Sequence, residues 1–451
     1  MKISVGLALC AGIFPVTLFA QASLTIDQRF ALLEQRLQNA EKRADYAESE
    51  MKKLNNSAIK NPPPLAEKEK TTAPVKLIVN SNADIKFYGD VEFNADAASR
   101  TGSLTSVKTS TSQSHSPGNK ERWDINGRIL LGVDGIQHAD NGKYAGFSVQ
   151  PLANINGKMN LDDAAFFFGQ QNDWKIKAGR FEAWDMFPLN QDTFIEYSGN
   201  TANDLYSDGY GYIYMMKEAR GRSNSGGNLL FSKNRDNWYF EVNTLVEDGS
   251  SLYVDQRYHG RDLNNQKNVV YLRPVVAWSE GSWSAAAAIE SNIVNNAYGY
   301  NDSDGHWHDQ SRRTGYGLTF SRNTLKSDPQ DGTVINVSTA FMDAQAETNF
   351  SAGINALWQR VEVGYIYAHN NIAEFSSSGI STECTDDCAI SSSGRYDIHT
   401  LHTSWQLPAI MDMPNFAIYL GAYASWLNAM SEDDGDHQPR YGARVRAKYI
   451  F

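Results

Sequence analysis

The sequence predicts an all-β transmembrane antiparallel barrel of about 16 strands, preceded by an α-helical coiled coil. Three observations carry this prediction. First, the last strand separates into two faces. Tyr441, Ala443, Val445, Ala447, Tyr449 and Phe451 share one parity, and Arg440, Gly442, Arg444, Arg446 and Lys448 share the other. Side chains alternate along a strand, so one face is apolar and aromatic and the other strongly basic, which suits lipid on one side and an aqueous lumen on the other. Second, Asp84–Asp96 alternates as cleanly, with Lys86, Tyr88, Asp90, Glu92, Asn94 and Asp96 on one face and Ile85, Phe87, Gly89, Val91, Phe93 and Ala95 on the other. First and last strands must pair to close a barrel, which would set acidic and basic faces side by side. Third, short and long connections fall on opposite ends of the strands, as expected of bacterial barrels.

Residues 1–22 have the pattern of a secretory signal peptide. Lys2 is followed by an apolar run from Ile3 to about Ala20, and Ala20-Gln21-Ala22 offers a small-x-small cleavage site. No later stretch approaches the roughly 18 consecutive apolar residues of a spanning helix. The mean hydropathy is −0.48, yet aromatics make up 12% and glycines number 34. A barrel gives this composition, because only alternate residues face lipid. The net charge of −11 argues against a nucleic-acid partner. In an exported chain Cys384 and Cys388, flanking Thr385-Asp386-Asp387, are expected to form a small disulfide ring; a metal pair with the two aspartates is the alternative.

Residues 23–55 predict a coiled coil in the periplasm. Phe30, Leu37, Ala44 and Met51 occupy a positions; Ile26, Leu33, Ala40, Ala47 and Leu54 occupy d. Arg29, Arg36 and Arg43 at g face Glu34, Glu41 and Glu48 at e, the order needed for pairs between chains. Arg29–Glu34 resembles a trimer-specifying pattern. Residues 56–83, with Pro62-Pro63-Pro64, are expected as linker. The barrel is then 84–451, with further strands near 123–133, 144–155, 160–168, 174–181, 225–233, 237–247, 267–278, 283–293, 314–323, 333–343, 347–358, 360–369, 395–407 and 415–427. An even count places both termini in the periplasm and the long loops outside the cell.

The longest loop, near 182–224, carries Asp185, Asp192, Glu196, Asp204 and Asp208 with Trp184, Tyr197 and Tyr206. Arg128, Arg180, Arg440, Arg444, Arg446 and Lys448 are the cations expected to line the facing wall. An acidic loop opposite a basic wall makes a transverse field across a water-filled constriction, which suits solutes that exchange hydrogen bonds. No catalytic residue, metal or cofactor is expected. His306-Trp307-His308-Asp309 is better explained as a hydrated loop than as a metal site. His402 and Ser404 share one strand face and Asp397 and His399 the other, so no hydrolytic triad follows and an enzyme is not expected.

The signal peptide, coiled coil, linker, barrel and terminal Phe451 together resemble the Gram-negative outer-membrane carbohydrate porins, particularly the raffinose glycoporin type; the layout is similar to that of the sucrose porin. Lys177-Ala178-Gly179-Arg180-Phe181 resembles the strand that leads into the third external loop of porins, which folds back into the lumen. The resemblance implies a homotrimer in outer-membrane lipid and passive diffusion of oligosaccharides. Two other functions fit the same residues: a general or anion-selective channel for small charged solutes, and an envelope tether acting through the coiled coil.

Overall fold

The computed structural model describes residues 75–80, 82–99, 122–191, 193, 213–222, 225–253, 256–259, 261–325, 327–328, 331–374, 376, 393–429 and 440–451. They belong to one compact unit, Lys70–Phe451. The expected signal peptide (1–22) and coiled coil (23–55) lie outside the described residues, as do Cys384 and Cys388.

Sixteen strands build the wall: β1 (Ala83–Ala98), β2 (Arg122–His138), β3 (Lys143–Asn154), β4 (Met159–Gln170), β5 (Trp174–Arg180), β6 (Gly227–Arg235), β7 (Trp238–Asp248), β8 (Asn268–Glu280), β9 (Trp283–Asn292), β10 (Arg313–Asn323), β11 (Thr333–Ala344), β12 (Glu347–Trp358), β13 (Val361–Ile372), β14 (Gly394–Leu407), β15 (Phe416–Ala429) and β16 (Arg440–Ile450). Each pairs antiparallel with the next, from Glu92 opposite Arg128 in β1–β2 to Leu420 opposite Val445 in β15–β16. β16 returns to β1, with Lys448 opposite Glu92 and Arg444 opposite Asp96. The sixteen strands therefore close into a ring, each paired on both sides.

At one end the strands are joined by 139–142, 171–173, 236–237, 281–282, 324–332, 359–360 and 408–415. The other end holds 99–121, 181–226, 249–267, 293–312, 373–393 and 430–439, together with two short links, 155–158 and 345–346. Val75–Asn80, within the stretch expected as linker, forms a further strand antiparallel to the start of β1, with Val75 opposite Phe87. It takes the part of β1 that β16 does not reach, since β16 pairs only from Asp90 onward. At the junction Gly89 and Phe451 exchange backbone hydrogen bonds of 3.0 and 3.1 Å.

Alternation decides the two faces. Val445 is 48% exposed, whereas Arg444 and Arg446 on either side are 6% and 8% exposed. Phe93, Phe147, Phe166, Phe231, Phe240, Leu318 and Ile354 are exposed on the outside, where a barrel in lipid meets hydrocarbon. Trp238, Trp283, Trp358 and Trp405 cluster near the short-turn end, the position of an interfacial aromatic girdle. Inside, the wall differs by sector. From β7 to β11 apolar residues such as Leu245, Tyr271, Val275, Ala288 and Met342 are buried beneath the long connections, interleaved with buried polar and charged ones such as Glu241, Arg273, Glu290 and Arg313. Parts of those connections form small sheets of their own, Arg257–Tyr258 with Arg261–Asp262, and Tyr298–Asn301 between Asn264–Asn265 and Trp307–Asp309.

Candidate pore lining and inward strap

The closing register places the acidic face of β1 beside the basic face of β16. Arg444 forms a two-pronged pair with Asp96, Nε to Oδ1 at 2.7 Å and Nη2 to Oδ2 at 2.8 Å. Arg446 donates to Asn94 at 2.9 Å. Lys448 donates to Glu92 at 2.6 Å. From the other side Arg128 of β2 approaches Glu92 at 3.4 Å and Asp90 at 3.6 Å. Asn126 links the row, accepting from Asn94 at 2.9 Å and donating to Asp96 at 2.7 Å. The result is a ladder of alternating charge across three strands. Of Arg440 only the backbone is described, at the start of β16.

The connection 181–226 turns inward directly after β5. Residues 181–191, with Thr193, form a strap along the inner wall. Thr319 of β10 donates to the Met186 carbonyl. Asn355 of β12 donates to the Pro188 carbonyl at 2.8 Å. The two oxygens of Glu362, on β13, accept the backbone N–H groups of Asn190 at 2.9 Å and Gln191 at 2.5 Å. Ser404 of β14 donates to the Gln191 side chain at 2.5 Å. At β15 the wall narrows to Gly421, where an added Cβ would lie 2.6 Å from the Thr193 carbonyl oxygen. A larger residue there would collide with the strap.

The returning stretch 213–222 is held by buried ions. Glu218 receives Arg313 of β10 through three contacts of 2.6–3.1 Å, and Tyr271 at 3.1 Å. Glu290 of β9 accepts from Tyr214 at 2.6 Å and from the Ala219 backbone at 3.2 Å. Arg273 of β8 donates to the Trp184 carbonyl at 2.9 Å and lies 3.4 Å from Glu290. Such a network is costly to bury unless its members are paired, and here it clamps the strap to the wall. In a ring of sixteen, this cluster on β8–β10 lies opposite the charge ladder on β16, β1 and β2.

The foot of the strap carries a second run of alternating charge. Asp163 lies 3.8 Å from Lys177 and 3.0 Å from Arg222; Arg222 reaches Asp162 at 3.0 Å and Glu182 at 3.6 Å; Arg220 reaches Glu182 at 3.1 Å and Asp185 at 3.6 Å. Burial pushes the Asp185 carboxyl up, but Arg220 and Lys217 outweigh it and hold it below the usual carboxylate range. Trp184 stacks on Tyr239 of β7, with ring centres 5.0 Å apart.

Among the expected site residues, Arg128, Arg444, Arg446 and Lys448 fall in one ladder, and Trp184 and Asp185 sit at the strap's foot. Arg180 also lies at the strap's foot, against the backbone of Asp162 and Arg222. It shares the parity of Ile176 and Ala178, and its guanidinium donates to the backbone carbonyls of Leu161, Asp162 and Arg222 at 2.8, 3.1 and 2.6 Å. Asp192, Glu196, Asp204, Asp208, Tyr197 and Tyr206 lie outside the described residues. Sequence reasoning missed Lys177, Arg220, Arg222, Glu218 and Glu362 as members of these clusters. Only Lys177 had a signal, its alternation with Ile176 and Ala178. The others depend on contacts between distant segments. His306 and His308 both lie near Asp302, at 3.5 and 2.9 Å, in the connection 293–312. Among the described residues no group of His, Cys, Asp and Glu has the arrangement of a metal site.

A sequence model for the family described as porin-like glycoporin RafY matches residues 87–451. No curated protein matches the sequence significantly. The fold is similar to that of the anion-selective porin from Comamonas acidovorans, with 13% identity and a TM-score of 0.46 over 82% of this chain and 100% of that one. In-vitro folded OmpT, an outer-membrane protein of Vibrio cholerae, gives 9% identity and 0.48 over 84% and 100%. A mutant of the Rh. blastica porin gives 12% identity and 0.44 over 81% and 100%.

Proposed function

The chain belongs to the porin-like glycoporin RafY family, and on that premise we propose that it forms a trimeric, water-filled channel for passive diffusion of uncharged oligosaccharides. The family and the closed barrel place it among outer-membrane channel proteins of Gram-negative bacteria. The observation that carries the sugar reading is the charge ladder. Arg444 stands opposite Asp96, Arg446 opposite Asn94, and Lys448 and Arg128 opposite Glu92, with Asp90 3.6 Å from Arg128 and 3.9 Å from Lys448. Asp90, Arg128 and Lys448 keep 16%, 19% and 24% of their side-chain surface exposed and offer donors and acceptors side by side, while Arg444, Arg446, Glu92 and Asp96 are buried in their pairs, so the net field stays small. Hydroxyl-rich neutral solutes gain hydrogen bonds from both signs, whereas an ion gains from one and loses to the other. With the β8–β10 sector filled by the clamp, the path runs between the ladder and the strap.

In this reading the long connections face outward and the short turns face the periplasm, where the coiled coil of residues 23–55 stabilises the trimer. Removing residues 23–60 then lowers the trimer's heat stability while the barrel still conducts. If envelope integrity alone were lost, the tether would be the better account. The surplus of one cation in the ladder supports a second reading, an anion channel. Swelling of proteoliposomes separates the two. Rapid entry of raffinose and sucrose relative to a charged solute of similar size supports the sugar channel. Exclusion of oligosaccharides with rapid entry of small dicarboxylates would replace it with the anion channel.

A further inference from the structure

We propose that Trp184 and Tyr239 form a stacking subsite for one ring of a neutral saccharide at the foot of the strap, with Asp185, Glu182 and Arg220 as its hydrogen-bonding rim. The inference rests on the sugar-channel reading and adds where the ring would be held.

The first observation is an exposure out of keeping with its neighbours. Phe181, Ala183, Met186 and Phe187, the apolar residues nearest it in the chain, are 0%, 7%, 2% and 4% exposed, yet Trp184 is 36% exposed; Pro188 and Leu189, farther along the strap, are half-buried. A side chain serving only to anchor the strap would be buried like these four. The indole instead has one face against the Tyr239 ring, with an interplanar angle of 30°, and keeps open surface inside the barrel. Tyr239 shares strand parity with Glu241 and Asn243, which are buried on the inner face of β7.

The second observation is rigidity. One carboxylate holds both residues: Glu241 Oε1 accepts the Trp184 backbone N–H at 3.1 Å, and its Oε2 accepts the Tyr239 hydroxyl at 2.6 Å. Arg273 fixes the Trp184 carbonyl from the other side at 2.9 Å. The platform is ordered before any solute arrives, so little freedom is lost on binding.

The third is the rim. Asp185 follows Trp184 in the chain and is paired with Arg220 at 3.6 Å, as Glu182 is at 3.1 Å. Arg220 also donates to the Ala183 carbonyl at 3.3 Å, which keeps it beside the platform. An aromatic face takes the apolar C–H face of a pyranose. Carboxylate and guanidinium groups at its edge accept from and donate to the ring hydroxyls. Both signs of charge stand at the rim, which favours a neutral ring over an ionic solute. Water competes for every one of these bonds, so binding stays weak, as passage requires.

The test uses the full-length protein in planar bilayers, with raffinose as probe and current interruptions as readout. Trp184→Leu is expected to weaken raffinose block about three- to tenfold, mainly through faster release, the scale of one lost aromatic contact. Trp184→Phe, which keeps a ring, is expected to retain most of the block. Tyr239→Leu, on the strand rather than the strap, is expected to act in the same direction as Trp184→Leu. If raffinose blocks the natural protein but Trp184→Leu and Tyr239→Leu are blocked equally well, the subsite is overturned while the sugar channel stands. Equal losses in Trp184→Phe and Trp184→Leu would also overturn it, since the indole would then act only as an anchor. If the natural protein shows no block by raffinose or any other oligosaccharide, the underlying reading fails and the subsite with it.

Discussion

Glu92 is the residue on which the ladder's electrical balance turns. Its carboxylate lies 2.6 Å from Lys448, 3.4 Å from Arg128 and 3.9 Å from Arg446. Glu92→Gln keeps the shape and an acceptor for Lys448 but removes one negative charge. Among the described side chains, four cations then face two carboxylates, Asp90 and Asp96, and the surplus rises from one to two. For an ion passing about 5 Å away, a unit charge in water is worth about 0.8 kcal/mol, which screening in about 0.1 M salt lowers to about 0.5. The change favours an anion and disfavours a cation by the same amount. The anion-to-cation permeability ratio should therefore rise about fivefold, from a difference of about 1 kcal/mol. The assay is the reversal potential across a bilayer under a KCl gradient, using protein whose heat-modifiable gel mobility shows a closed barrel. An unchanged reversal potential in such protein would refute the reasoning, because ions would then not pass near the ladder.

Other consequences follow from the strap and its clamps. Glu362→Ala removes the acceptor of two backbone N–H groups, a loss on the order of 1–3 kcal/mol each, and should increase open-channel noise and mean conductance. Gly421→Leu, which crowds the Thr193 carbonyl, should do the same from the neighbouring wall. Glu218→Ala leaves Arg313, buried on β10, without its two-pronged carboxylate, and should lower stability by about 3–5 kcal/mol, read as a fall in the unfolding temperature. His259 lies in the connection 249–267, 3.7 Å from Glu347. Burial first, then the charges of Arg313 and Arg261, hold its imidazole well below the usual range. The unfolded chain binds a proton below about pH 6.5 where the folded one does not, so this contribution is present above pH 6.5 and declines as pH falls. His259→Asn should therefore flatten the fall in unfolding temperature between pH 7 and pH 5.

The wall was largely legible in the sequence, because alternation survives wherever one face meets lipid and the other meets water. Strands such as Glu347–Trp358 emerge where expected, and Asp84–Asp96 could be matched to Arg440–Lys448 before any contact was known. Alternation fails where both faces are apolar. Val269, Val275, Leu245 and Met342 point inward, yet they are as apolar as their outward neighbours, because the strap and the 249–267 connection cover them. The Val75–Asn80 strand carries three consecutive apolar residues, Leu77-Ile78-Val79, but they follow a proline-rich, charged stretch whose composition suggested linker. The site was legible in part. The ladder could be read because its members alternate within single strands. The clamp joins Glu218 to Arg313 and Asn190 to Glu362, partners separated by 95 and 172 residues. No local pattern announces such a pairing. Arg180 shows the limit of residue type as a guide, since a cation at a strand end can also serve backbone carbonyls.

The central claim is that the paired-charge path serves neutral oligosaccharides. Single-channel conductance with raffinose, sucrose, maltodextrins and small dicarboxylates added in turn tests it most directly. The account predicts concentration-dependent block by an oligosaccharide together with weak ion selectivity. Strong anion selectivity with block by dicarboxylates, and none by any sugar, would contradict it.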